Sequence, residues 1–289
     1  MPTKPKKTFN LIKASDLAER EYLPTGIADL DAVIKGFPRK QITEIFALEK
    51  VGKTTLTLMA IAAITRAKKK VIFVDAENSF NKDRAIALGV DLKQLIIAKE
   101  NILEDVAQLI MDNVADCEAL IIDSLPQLIP RREYQGEFGD ANIGAKAKVL
   151  NEFMRRITPE LDKSNCALIC INQLRPNVGA GPYDPKYVIP GGWALRYAAA
   201  LRLQLSRNNS SDLIVKQVDG VRMQVGHIVH CKVIKTKNGS YEGAIVDYRL
   251  MYEDAPIIPE SEVVDPTEKK PVTKKAAGKK KAPAKPKKK

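Results

Sequence analysis

The stretch Ile45-Phe46-Ala47-Leu48-Glu49-Lys50-Val51-Gly52-Lys53-Thr54-Thr55 decides how this chain folds. An apolar run from Ile42 to Phe46 stops at the small Ala47, and Gly52-Lys53-Thr54 follows after four intervening residues. Beyond it, Leu56 to Ile64 carries apolar residues at helical spacing. Strand, tight loop and helix in that order give a phosphate-loop pattern physical meaning. Successive backbone N–H groups of such a loop, with the following helix N-terminus, form a concave cradle for anionic oxygens. Lys53 is then placed to reach the β- and γ-phosphates of a nucleoside triphosphate, and the Thr54 hydroxyl to ligate Mg²⁺. Ala47 stands where such loops begin with glycine, which leaves less freedom at positive φ. The candidate nucleotide contacts are therefore Ala47, Leu48, Glu49, Lys50, Val51, Gly52, Lys53, Thr54 and Thr55.

Outward from the loop, apolar strands alternate with helical patterns. Val71-Ile72-Phe73-Val74 ends in Asp75-Ala76-Glu77, Ala119-Leu120-Ile121-Ile122 in Asp123-Ser124, and Ala167 to Ile171 in Asn172-Gln173. Continuously apolar strands bounded by polar residues suit a parallel sheet covered on both faces. Helices are predicted over Ile27–Ile34, Lys82–Leu88, Ile102–Asn113 and Lys146–Leu161, with a short strand at Leu95–Ile97 between them. Strand-like segments follow at Ala200–Leu205, Gly226–Ile234 and Ala244–Leu250. The fold class is α/β: a P-loop NTPase core with a mostly parallel sheet flanked by helices and an antiparallel extension. Asp123, seventy residues after Lys53, fits the strand-terminal acid that completes the Mg²⁺ shell of such enzymes. Leu174 to Gly192, rich in Pro and Gly, reads as a long functional loop.

Composition narrows the class. With 289 residues and 45% apolar content, the chain has ample core for one large domain with appendages. No apolar run approaches the ~18 residues of a membrane span. Met1-Pro2-Thr3-Lys4-Pro5-Lys6-Lys7 lacks a signal-peptide core, so a cytoplasmic protein with no membrane partner is expected. Cys117, Cys166, Cys170 and Cys231 show no metal-like pairing and read as small core hydrophobes in a reducing compartment. His227 and His230 fall on opposite faces of a strand, which argues against zinc. The net charge is +12, and Lys269 to Lys289 contains eleven lysines and no acids. That block reads as disordered, either an arm for polyanions or a tail that only solubilises. The expected organisation is an N-terminal arm at 1–22, a core at 23–253, and a linker with lysine tail at 254–289. The arm carries a short capping signal at Asp16 and Glu19, and it docks on its own domain or on a neighbouring subunit.

Several segments together resemble the bacterial RecA recombinases, over about Leu23 to Tyr252. Leu23-Pro24-Thr25-Gly26, Gly52-Lys53-Thr54-Thr55-Leu56-Thr57-Leu58 and Phe73-Val74-Asp75-Ala76-Glu77 carry the likeness, as do Ile122-Asp123-Ser124, Ile171-Asn172-Gln173-Leu174-Arg175 and Val233-Ile234-Lys235-Thr236-Lys237. The resemblance implies ATP and Mg²⁺, with Thr54 and Asp123 on the metal and Asn81 and Arg84 added to the nucleotide contacts. Glu77 becomes the base that polarises water, and Gln173 the sensor of the γ-phosphate. Lys235 and Lys237 would reach a neighbour's γ-phosphate across a protomer boundary. Gly136-Glu137-Phe138-Gly139-Asp140 with Asn142-Ile143-Gly144 is similar to the family's first DNA-binding loop, and Arg175 to Gly192 to its second. Implied DNA contacts are Gly136, Ile143, Gly144, Lys148, Asn151, Arg155, Arg175, Val178, Gly191 and Gly192. The expected partners are single-stranded and duplex DNA and further copies of the chain in a helical filament. The expected activity is DNA-dependent ATP hydrolysis with strand exchange. A DNA-binding ATPase without strand exchange, or a ring-forming motor on the same core, are the alternatives. The departures from the family are Ala47, Arg84 in place of a base-stacking Tyr, Ile143 in place of Met, and Trp193 after the glycine pair. A lysine tail also stands where a compact domain and an acidic end are usual.

Overall fold

In a computed structural model the apolar runs become the strands of one central sheet. Residues 13–137, 144–181, 183–208, 210–218, 221–239 and 241–252 are described. The first part runs through β1 (Tyr22–Leu23), α1 (Ala28–Ile34), β2 (Phe37–Pro38), β3 (Ile42–Ala47), α2 (Lys53–Arg66), β4 (Val71–Asp75) and α3 (Lys82–Ala87). Then come β5 (Leu95–Ala98), α4 (Leu103–Asn113), β6 (Ala119–Asp123), α5 (Arg131–Gln135), α6 (Ala145–Lys163) and β7 (Ala167–Gln173). The last part holds β8 (Arg175–Pro176), β9 (Tyr187–Val188), α7 (Ala194–Ala198), β10 (Leu201–Ser206), β11 (Leu213–Val218), β12 (Val221–Thr236) and β13 (Ile245–Met251). The strand order is β11-β12-β10-β3-β7-β6-β4-β5, with β13 also paired to β12. From β10 to β5 every pairing is parallel, and β12 runs antiparallel to β10, β11 and β13. This is the α/β class expected from the sequence.

The continuous apolar runs have a direct cause: both faces of the sheet are covered. Ile45, Phe73, Ile121 and Ile169 pack with Leu30, Ile34, Leu56 and Ile61 of α1 and α2. Ile72, Val74, Leu120 and Leu168 pack with Leu103, Ile110, Phe153 and Ile157 of α4 and α6. Each such side chain contributes roughly 1.5–3 kcal/mol by leaving water. Among the described residues no helix is long and apolar enough to cross a membrane.

Two charged residues sit inside this apolar sheet. Glu44 is 0% and Arg202 5% exposed, and Arg202 Nε donates to Glu44 Oε2 at 2.5 Å. Asn172 Nδ2 donates to Glu44 Oε1 at 3.1 Å and to the Pro190 carbonyl at 3.3 Å. One network thus joins β10, β3 and β7 to the end of the 174–192 loop.

Several local expectations change. The capping signal near Asp16 yields only a three-residue 3₁₀ turn, Ala14–Asp16. α2 stops at Arg66 and Lys68 takes φ 60°, which leaves Lys68–Lys70 in the turn after the helix. The 174–192 segment is not structureless, because Arg175 and Pro176 pair with Val188 and Tyr187 in a small antiparallel ladder. β11 was not expected, and β12 begins five residues ahead of Gly226, because the two form a hairpin paired as far as Val218 and Val221. Residues 1–12, 138–143 and 253–289, which hold most of the arm, Ile143 and the lysine tail, lie outside the described residues.

His227 and His230 do face opposite ways. His230 Nδ1 lies 2.7 Å from Asp247 Oδ1 and Nε2 lies 2.8 Å from Asp212 Oδ2, tying β11, β12 and β13 together. Burial alone would lower the His230 pKa, but the bonds to Asp247 and Asp212 outweigh it and hold the imidazolium above its ordinary value. A raised histidine pKa gives stability that is complete below ~6.5 and is lost as pH rises through the folded value. Thermal unfolding followed from pH 6 to 9 should therefore show the wild-type Tm falling, and His230→Gln a flatter profile. Parallel profiles would remove His230 from this role.

Candidate nucleotide-binding site

The site is built where the parallel strands end. β3 finishes at Ala47, whose carbonyl accepts the Leu174 N–H at 2.9 Å. The loop then turns through Lys50 at φ 58° and Gly52 at φ 112°. A Cβ on Gly52 would stand 2.4 Å from Leu250 Cδ1, so both conformation and space demand glycine there. Gly52 caps α2 and Lys53 opens it. Lys53 Nζ folds back to donate to the Leu48 carbonyl at 2.9 Å. Burial holds its pKa below the ordinary lysine value, against the opposing charges of Asp123, Glu77 and Glu49.

Three further strand ends, with the start of α2 and α3, supply the facing groups. The Thr54 hydroxyl donates to Asp123 Oδ2 at 2.6 Å. Burial raises Asp123 to about 6, helped by the Glu77 charge and opposed by the Thr54 bond and Lys53. Glu77 follows β4, and the Ser124 hydroxyl donates to its Oε1. Asp75 shapes the turn that presents Glu77, accepting the N–H groups of Ser79 at 2.9 Å and Phe80 at 3.1 Å. Gln173, at the end of β7, donates from Nε2 to Glu49 Oε1 at 2.8 Å. Arg84 Nη2 donates to the Thr55 hydroxyl, while Asn81 caps α3 by accepting the Arg84 N–H at 2.9 Å.

These groups border a cleft of about 540 Å³ lined by Glu49, Lys53, Thr54, Glu77, Asp123 and Gln173 among others. Arg84 lines it too, whereas Asn81 acts on it only through the α3 cap. Its remaining wall was missed in the sequence: Gln127, His227, Leu250 and Tyr252. His227 Nε2 lies 3.1 Å from the Val51 carbonyl, and Nδ1 3.1 Å from the Tyr252 hydroxyl. Burial lowers the His227 pKa, so the neutral ring carries its proton on Nε2 and accepts from Tyr252. Local spacing gives no sign of this contact, which joins the loop to a strand 176 residues later.

The oxygen donors of Thr54 and Asp123 suit Mg²⁺, and a carboxyl that burial pushes toward neutrality gains from a hard cation beside it. Among the described residues no group of three or more His, Cys, Asp or Glu could hold a metal by itself. Mg²⁺ commonly takes one or two protein ligands and completes its shell with phosphates and water.

Lys235 and Lys237 do not belong to this cleft. Lys235 is level with Arg202, and Arg202 with Glu44, short of Ala47 on β3. The Lys237 N–H meets Ala200, whose own N–H meets Ile42 at the start of β3. Five residues of strand, about 16 Å, separate that level from the phosphate loop. Lys235 Nζ donates to the carbonyls of Arg196 at 2.8 Å and Tyr197 at 3.1 Å.

Six of the ten implied DNA-binding residues lie on or against α6. Gly144 caps the helix at φ 79°, and Lys148, Asn151 and Arg155 lie exposed along one of its faces. Gly191 and Gly192 pack on the same helix, where added Cβ atoms would stand 3.1 Å from Leu150 Cδ1 and 3.3 Å from Ala147 Cβ. Val178 is 95% exposed, and Arg175 and Gly136 are exposed as well. Burial and then Arg175 lower Lys146 to about 8, which marks a second cation facing this region.

Residues 8–255 match the RecA N-terminal domain family. The chain belongs to the RecA family. It is 36% identical over 243 residues to Protein RecA of Azospirillum lipoferum, covering 82% of this chain and 65% of that protein. Protein RecA of Rhodospirillum centenum is 36% identical over 242 residues, with 82% and 64% covered. For Leifsonia xyli subsp. xyli the values are 35% over 257 residues, 81% and 69%. The first two alignments thus span just under two thirds of the relatives' length. In this RecA-family cleft, Lys53→Ala should weaken ATP binding by at least tenfold, read by equilibrium titration, without lowering Tm. Unchanged affinity would move the phosphates away from Lys53.

Proposed function

We propose that this chain is an ATP-dependent DNA recombinase that assembles on single-stranded DNA as a helical filament and exchanges homologous strands. The observation carrying this reading is the position of Gln173. Its amide borders the nucleotide cleft, and the next residues open the loop that ends at Gly191 and Gly192 against α6. A side-chain bond gained or lost at Gln173 therefore bears directly on the base of the loop assigned to DNA. ATP, Mg²⁺, DNA and the cytoplasm enter as parts of this reading.

Within it, the loop N–H groups and Lys53 bind the phosphates, and Arg84 and Tyr252 border the cleft as planar groups able to flank a base. Thr54 and Asp123 would hold Mg²⁺, which when bound neutralises charge on the phosphate oxygens. Glu77, held by Ser124, orients the attacking water and takes its proton as the γ-phosphoryl group is transferred and ADP departs. Gln173 exchanges its bond to Glu49 for one to the terminal phosphate. Lys235 and Lys237, lying about 10 and 16 Å of strand away from their own loop, serve the nucleotide of the next protomer. A head-to-tail contact of this kind gives an open filament when its rotation does not close. Lys148, Arg155 and Arg175 then hold the DNA through its phosphates, independent of sequence.

Strand exchange between circular single-stranded DNA and a homologous linear duplex, with ATP, tests the reading. Joint molecules support it; their absence with single-strand binding intact leaves a DNA-binding ATPase without exchange. Glu77→Gln should reduce ATP turnover by a factor on the order of 10²–10⁴ while ATP-dependent filaments persist in electron micrographs. Normal turnover would remove Glu77 from this role. The trans role of the lysines has its own test. Lys53→Ala and the double variant Lys235→Ala/Lys237→Ala should each be inactive alone. Mixed in equal amounts they should recover about one quarter of wild-type ATPase, the share of head-to-tail interfaces joining an intact loop to intact lysines. No recovery would sink the shared site.

A further inference from the structure

All four cysteines are buried and free, and the proposed ATP chemistry uses none of them. Two of them touch. Cys117 stands just before β6 and Cys166 just before β7, at the ends of these neighbouring strands remote from Asp123 and Gln173. Their Sγ atoms are 3.6 Å apart. Cys170 and Cys231 lie within β7 and β12.

We propose that Cys117 and Cys166 are an oxidisable dithiol that a hydroperoxide converts to a reversible intramolecular disulfide. Proximity is the first support. Shortening 3.6 Å to the ~2.05 Å bond asks for about 1.5 Å of movement, shared between two side chains. Asymmetry is the second. Cys117 retains 8% exposure and Cys166 none, so Cys117 is the sulfur a small oxidant reaches. The Cys166 thiol bonds to Cys117 and holds it below the ordinary thiol range against burial, with Lys70 adding to the effect. The same contact and then burial raise Cys166, making it the resolving partner that keeps its proton. The rim carries charges of both signs, Lys70 set against Asp116 and Glu118. Lys69 pairs with Glu118 at 3.0 Å, and Arg39 pairs with Glu118 while donating to the Asn165 carbonyl at 2.7 Å.

The chemistry balances in two steps. The Cys117 thiolate attacks the distal oxygen of the hydroperoxide; an S–O bond forms, the O–O bond breaks, and hydroxide or alkoxide leaves. The Cys166 sulfur then attacks the Cys117 sulfenic acid, so an S–S bond forms and the S–O bond breaks. Hydroxide departs and combines with the Cys166 proton as water. Two electrons pass from the sulfurs to the peroxide, and a dithiol reductant restores both thiols. The bridge would close the segment that carries β6, α5 and α6. It forms at the sheet end away from the nucleotide cleft and leaves ATP binding unchanged.

The full-length chain, folded and treated with hydrogen peroxide, gives the test when it is alkylated and mapped without reduction. The expected result is an intact mass lower by about 2 Da before alkylation, a peptide pair joining Cys117 to Cys166, and full alkylation at all four positions after dithiothreitol. Cys166→Ser should stop at the first step and yield a Cys117 sulfenic acid that dimedone labels. The wild-type map needs no variant, so it decides the matter if Cys166→Ser fails to fold. Free Cys117 and Cys166 after peroxide, a cross-link between two chains, or a link through Cys170 or Cys231 would each overturn the proposal.

Discussion

The structure depends on the register of four parallel strands. Ala47 is level with Gln173, and Asp75 with Asp123, so β3, β7, β6 and β4 deliver their polar ends to one edge of the sheet. Side chains alternate along a strand, so a slip of one residue would turn Gln173 or Asp123 to the opposite face and dissolve the cleft. Apolar packing on both faces sets how deep the strands lie but tolerates neighbours of similar size. The Glu44–Arg202–Asn172 network is more exacting, because a buried charge left without its partner costs about 3–5 kcal/mol. It spans β10, β3 and β7 and reaches the Pro190 carbonyl. Asn172 also accepts the Gln173 N–H at 2.9 Å. The residue bordering the cleft and the end of the following loop are thus fixed by the same buried group.

Much of this was legible in the sequence, and the reason is local. Phosphate-loop chemistry needs adjacent residues, and parallel strands buried on both faces write themselves as short apolar runs ending in Asp, Glu or Gln. Asp123 was found that way, Glu77 and Gln173 were singled out by the resemblance at ends of the same kind, and the cleft brings all three together. What escaped depends on distant partners. Glu44 within an apolar strand gives no sign of Arg202, 158 residues on. Tyr252 and His227 lie in β-rich sequence whose alternation reports which face is buried, not that one such face meets the phosphate loop. β11 was missed because Leu213-Ile214-Val215-Lys216-Gln217-Val218 is only half apolar-periodic, and its pairing with β12 supplies the rest. Arg84, added to the nucleotide contacts by resemblance, borders the cleft and also donates to the Thr55 hydroxyl, a bond that local spacing does not announce.

The sheet carries different chemistry at its two ends, and this polarity constrains how the molecule can act. One end gathers carboxylates, amide and hydroxyl groups around a cleft of about 540 Å³. Lys235 and Lys237 lie toward the other end, where burial and then Lys237 and Arg202 lower the Lys235 pKa and two backbone carbonyls hold its ammonium. A cation held in that way has a defined position and a low cost of release, since its charge is already disfavoured by its surroundings. The register holds Lys235 level with Glu44 and Lys237 beside Ala200, back from the strand ends that make the cleft. If those lysines act on a phosphate, that phosphate belongs to another copy, and the contact must be head-to-tail. Nucleotide binding and self-association would then be one event seen from two protomers.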